Sequence, residues 1–170
     1  MQLKDLILAG LDRVKEANMK TLDGLSRHEL VWRPGPEANS IGLIIFHSAR
    51  SEDIVVQSRV QGKPQIWESE KWYQKLNLPI ADTGAHYTVQ QIAAFPAPEL
   101  KDWLAYAGAV RTRTQDYLKG MTDAGFGKVI NVPRHGDVTI GWYLMSMVVH
   151  MAEHAGEISY LRGLQRGSDK

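Results

Sequence analysis

The side chains best equipped for chemistry in this chain are histidines. His150 and His154 stand four positions apart in an apolar stretch, residues 140–164. On a helix that spacing stacks two imidazoles one turn apart on the same face, so both can point at a single ion. A divalent first-row metal needs at least a third protein ligand, and a catalytic site usually stops at three so that water or substrate takes the open position. His47 offers the third imidazole. At ~100° per residue it shares the inward stripe of an earlier apolar segment with Ser40, Leu43, Ile44, Ser51, Ile54 and Ser58. The same rotation keeps Tyr143, Met147, His154, Glu157 and Leu161 within about 60° of His150. Buried imidazoles without partners would each carry a desolvation penalty, and a shared cation satisfies all three. The spacing predicts a metal held by His47, His150 and His154, one of Zn²⁺, Ni²⁺, Fe²⁺ or Mn²⁺, since imidazole suits several of them.

Glu157 lies one turn beyond His154 on the same stripe. It is a candidate catalytic residue as a general base, a fourth ligand, or an acceptor for an imidazole N–H, with the acceptor role favoured over direct ligation. Glu52, five residues after His47, falls about 140° round its helix and is not expected to reach an ion at His47. His28, His86 and His135 sit in turns or connections, where a solvated histidine is the ordinary case.

The elements that must position these groups are helical. Residues 3–22 place Leu3, Leu6, Ile7, Leu11, Val14 and Leu22 at helical spacing between charged positions. Gly24 ends that helix, and Ser26 with Glu29 forms a capping-box pattern for a short turn. A second long helix starts at Asn39 or Ser40 and runs to about Gln61. Residues 62–87 have no clean period and carry Trp67, Trp72 and Tyr73, which predicts a partly ordered cover over one end of the molecule with its aromatics mainly packed. A helical stretch opening at Thr88, a third long helix over 99–119, a short extended piece at 129–133 with a turn at 135–137, and a fourth long helix capped by Thr139 complete the pattern. The expected class is all-α: a four-helix bundle with a long connection between its second and third helices. It should form one domain over 1–165, followed by a polar tail at 166–170.

Composition narrows the function. With 20 basic and 19 acidic residues and a net charge of +1, the chain has no electrostatic footprint for nucleic acid or anionic lipid. The absence of cysteine removes disulfides, thiolate metal sites and a cysteine nucleophile together. No signal-peptide pattern or membrane-length apolar run is evident, so a cytoplasmic protein is expected.

Several motifs carry a resemblance when taken together: Trp32-Arg33-Pro34; Asn39-Ser40-Ile41-Gly42; His47 followed by Glu52; and His150-x-x-x-His154-x-Gly156-Glu157-Ile158 with Arg162. Over nearly its whole length the sequence resembles the DinB-like (DinB/YfiT) superfamily. The resemblance implies a four-helix bundle, often a homodimer, with a divalent metal on three histidines that correspond to His47, His150 and His154. Characterised relatives include S-transferases that use low-molecular-weight thiols, a mycothiol-dependent maleylpyruvate isomerase and metal-dependent hydrolases. Two positions depart from the pattern: Glu157 stands where Gln is frequent, and Val55 where an aromatic is frequent. The expected function is a metal-dependent enzyme, a thiol S-transferase or a hydrolase, acting on a small molecule. The alternative is a dimeric metal-binding or small-molecule-binding protein with no catalytic step.

Overall fold

The computed structural model describes residues 2–96 and 98–167. Two of the four long helices, and several of the short ones, begin where a Ser or Thr side chain serves a free amide. Helix α1 spans Leu3–Leu22. Helix α2, Arg27–Val31, is capped by the reciprocal Ser26–Glu29 pair that the sequence predicts. Helix α3, Ile41–Asp53, starts at Ser40, whose hydroxyl accepts from the Leu43 amide at 3.2 Å. Helices α4, Ile66–Ser69, and α5, Trp72–Lys75, are single turns. Thr88 caps α6, Val89–Ala94. Helices α7, Leu100–Lys119, and α8, Asp123–Phe126, precede a small hairpin of β1, Val129–Val132, and β2, Gly136–Thr139. Thr139 then caps α9, Ile140–Arg166.

Two boundaries differ from expectation. The second long helix does not stay α-helical to Gln61; it passes at Ile54 into a π-helical segment, Ile54–Val60, whose wider turns bury Val56 and Gln57. The extended piece at 129–132 has a pairing partner, with Val129 opposite Thr139 and Val132 opposite Gly136. Gly136 and Asp137 therefore belong to a strand. The reversal falls earlier, at Pro133-Arg134-His135, with Arg134 in the left-handed region at φ 72°.

The four long helices form the bundle, and their contacts fix its sense. Gly10 lies against Val148, and Thr21 lies beside Ser159 and Arg162, so α1 and α9 run in parallel. Phe46 packs on Trp103 and Glu52 bonds Arg111, so α3 and α7 are parallel as well. Two parallel neighbours joined in sequence need a chain that returns along the bundle. Residues 61–99 make that return, which explains the length of the connection. They do so as packed structure: Trp67 is fully buried, and Asp53 accepts the backbone amides of Ile66 and Trp67, each at 3.0 Å. Burial pushes the Asp53 carboxyl upward, against the pull of those two amides and of the Tyr106 hydroxyl.

Apolar side chains gather in two clusters. One surrounds Phe46, Trp67, Trp103 and Tyr106; the other surrounds Leu11, Val56, Leu118, Leu144 and Met151. Arg111 crosses the bundle, gripping Glu52 with two bonds of 2.8 and 3.0 Å and donating to the Leu11 carbonyl at 2.9 Å. The last helix extends to Arg166, whose guanidinium bonds Glu29 and the Gly24 carbonyl, so Arg166 is anchored and the polar tail starts after it. Residues 168–170 of that tail lie outside the described residues. Among the described residues, no helix is long and apolar enough to cross a membrane.

Candidate metal centre

Helix periodicity on α3 and α9 brings His47, His150 and His154 together across the interface of those two helices. One ring nitrogen from each lies within 4.8 Å of the others. The His150 and His154 Nε2 atoms are 3.0 Å apart. All three rings meet edge to face, His47 with its centroid 5.4 Å from that of His150 and 5.1 Å from that of His154. This arrangement turns nitrogen edges, rather than ring faces, toward a common point.

Hydrogen bonds fix which nitrogen is available. His47 Nδ1 lies 3.0 Å from the Thr83 carbonyl, which can only accept, so Nδ1 carries the proton and Nε2 keeps its lone pair. His154 Nδ1 lies 2.7 Å from Glu157 Oε2, and a carboxylate imposes the same tautomer. These are the outer partners that ligating imidazoles generally have. Burial lowers the pKa of His47. Burial first, then repulsion from His154 and His47, lowers that of His150 to about 4. His47 and His154 thus each present an Nε2 lone pair, the kind of donor a divalent cation takes.

The structure brings together the three histidines expected from the sequence. It places Glu157 behind His154, bonded on the Nδ1 side and outside the lining of the adjoining pocket. Glu52 points away from the triad into its pair with Arg111, as the rotation predicts. His28 is exposed on α2, and His135 packs edge-on against Trp142. His86 is exposed in its connection, as expected, and it also lines the triad pocket, which encloses about 380 Å³, together with Arg134 from the hairpin tip.

Sequence reasoning missed Thr83. Its contribution is a backbone carbonyl in a segment without period, and the one visible signal is Gly84. At φ +70° a β-carbon on Gly84 would lie 3.0 Å from Phe46 Cδ1 and 3.1 Å from His47 Cβ. Only glycine lets the 82–86 turn lie this close to α3. Gly84→Ala is expected to displace Thr83 from His47 and weaken metal binding about 10–100-fold, the usual loss when an outer partner of a ligating histidine is removed. Competition with a coloured chelator measures it, and an unchanged affinity would contradict the role given to Thr83.

The pH dependence has a definite sign. His150 is held neutral in the fold with its pKa near 4, while the unfolded chain takes up a proton near 6.5. Stability of the metal-free protein is therefore full above about pH 6.5 and falls progressively as the pH drops toward 4. Urea unfolding of wild type and His150→Gln, each with chelator, isolates this contribution. As the pH falls through that window, wild type should lose stability relative to His150→Gln.

Comparison with known proteins shows the family and the fold. Residues 11–158 match one family, described as the DinB superfamily. The chain belongs to it. The crystal structure of a conserved protein from Enterococcus faecalis superposes on this DinB-superfamily fold with a TM-score of 0.85 at 26% identity, covering 96% of this chain and 97% of that one. No curated protein matches the sequence. The DinB-superfamily match spans His47, His150 and His154, so all three fall within the shared region.

Proposed function

We propose that this DinB-superfamily chain is a metal-dependent enzyme acting on a small molecule, with His47, His150 and His154 holding one divalent ion, Zn²⁺, Ni²⁺, Fe²⁺ or Mn²⁺. The observation that carries this reading is the pair of tautomer-fixing bonds, Thr83 to His47 and Glu157 to His154, which leave Nε2 lone pairs where three rings converge. A bound ion would supply Lewis acidity, making a thiol or a water easier to deprotonate at neutral pH. The chain's own part is orientation and access. Thr83 and Glu157 hold two imidazoles in register, and the pocket beside them leaves room for substrate. Glu157 is a positioning residue that acts through His154.

A thiol S-transferase fits a chain without cysteine, because the reacting sulfur would come from a low-molecular-weight thiol. Hydrolysis is the second reading of the same site, with water in place of thiol. Assay of the metal-loaded protein with thiol–electrophile pairs and with ester and amide substrates separates them. Turnover that needs thiol favours transfer, turnover without it favours hydrolysis, and none in either panel favours a binding protein.

The surface of α9 supports a homodimer. Trp142, Met145 and Val149 form one exposed apolar patch on a face of the helix, and Tyr160 and Leu164 form a second farther along the same face, with exposed Glu153 between them; the five are between 43% and 68% exposed. A second copy offering the same face would cover it in a two-fold contact. Val149→Glu, in the larger of the two patches, is expected to halve the mass seen by sedimentation velocity without changing metal content. A wild-type monomer at tens of micromolar would end the dimer proposal.

A further inference from the structure

Two of the pocket-lining residues outside the helices of the triad, His86 and Arg134, carry basic side chains, and both sit on unusual backbone. His86 has φ 55° and Arg134 has φ 72°, left-handed conformations at non-glycine positions in two separate loops. Such conformations persist where surrounding structure holds them, and they gather at ligand sites. Arg134 Nη2 reaches His86 Nε2 at 3.4 Å. Since a guanidinium can only donate, His86 Nε2 accepts here. Among the described residues, no carboxylate lies within ion-pair distance of Arg134, and none of those lining the pocket is acidic. The carboxylate touching the triad, Glu157, is bonded to the far nitrogen of His154.

A pocket of about 380 Å³ thus has three imidazole nitrogens on its floor and a guanidinium at its mouth, with no negative group between them. Adding a dication to that floor makes the cavity electropositive from both ends. The guanidinium presents a planar fork suited to two-pronged contact with a carboxylate. We infer that the substrate of this site carries a carboxylate that Arg134 receives, at the opposite end from the group offered to the metal. The inference rests on the metal-site reading above for one anchor and on Arg134 for the other. A substrate spanning the cavity in this way would be fixed in direction as well as place. His86 would steady the guanidinium and is a positioning residue.

The test compares two thiols differing chiefly in one charge. Isothermal titration of 3-mercaptopropionate and 2-mercaptoethanol is carried out on the zinc-loaded full chain, on Arg134→Ala and on Arg134→Lys. Wild type should bind the acid at least tenfold more tightly than the alcohol. Arg134→Ala should lose most of that preference while its metal content and its affinity for 2-mercaptoethanol stay the same, and Arg134→Lys should recover part of it. Equal affinity for the two thiols in wild type, or an undiminished preference in Arg134→Ala, overturns the inference. Failure of the metal-site reading looks different: no retained zinc, or no binding of either thiol. In that event succinate titrated into the same proteins decides the matter alone. Saturable binding lost in Arg134→Ala supports the carboxylate subsite, and no saturable binding overturns it.

Discussion

A His47→Ala protein is expected to emerge from purification without bound metal and without turnover, while its helical content remains that of wild type. His47 is the only one of the three histidines contributed by α3, and its removal leaves two imidazoles one turn apart on α9. Two nitrogens from one helix bind first-row metals far more weakly than three that enclose the ion, and a catalytic site of this kind uses three protein ligands. Metal content should fall from about one ion per chain to less than about a tenth of that. The fold should survive, because His47 is only partly buried and is a member of neither core cluster. His28→Ala, altering an exposed histidine on α2, is the matched control and should retain metal and activity. A metal-replete, active His47→Ala protein would exclude the proposed centre.

The largest loss of stability is expected from Glu52→Ala. Glu52 is 2% exposed and receives two bonds from Arg111, whose side chain is itself 12% exposed. Truncating the carboxylate leaves a nearly buried guanidinium holding only the Leu11 carbonyl and the Met151 sulfur. Breaking a buried pair in this way typically costs about 3–5 kcal/mol. Urea unfolding should show that loss in Glu52→Ala, whereas the double change Glu52→Leu with Arg111→Met should recover much of it, since no charge is then left buried. A loss below about 1 kcal/mol in the single variant would mean that water reaches Arg111 freely.

How far the sequence foretells this molecule depends on the kind of atom involved. The triad is legible because it is made of side chains on long helices, where a fixed rotation per residue carries His47, His150 and His154 onto inward faces. The caps at Ser40, Thr88 and Thr139 are legible for a related reason, since each is a short polar side chain before an apolar period. The π-helical segment at Ile54–Val60 is invisible to the same arithmetic, because the shift from one bonding pattern to the next leaves side-chain types unchanged. The Thr83 carbonyl and the meeting of His86 with Arg134 depend on loops far apart in sequence. No period links 83 to 47, or 86 to 134. Glu157 was legible by position and ambiguous by role. The stripe it shares with His154 admits a ligand but favours an acceptor, and the 2.7 Å bond to Nδ1 puts it at the back of the ring.

The measurement that bears most directly on the central claim is metal analysis combined with X-ray absorption on protein purified without a histidine tag. One divalent ion per chain, bound by three imidazole nitrogens at about 2.0–2.1 Å with an exchangeable light atom completing its shell, is the expected result. Protein that stays metal-free after incubation with Zn²⁺, Ni²⁺, Fe²⁺ or Mn²⁺, or that binds an ion just as well when His47, His150 and His154 are all replaced, would contradict it.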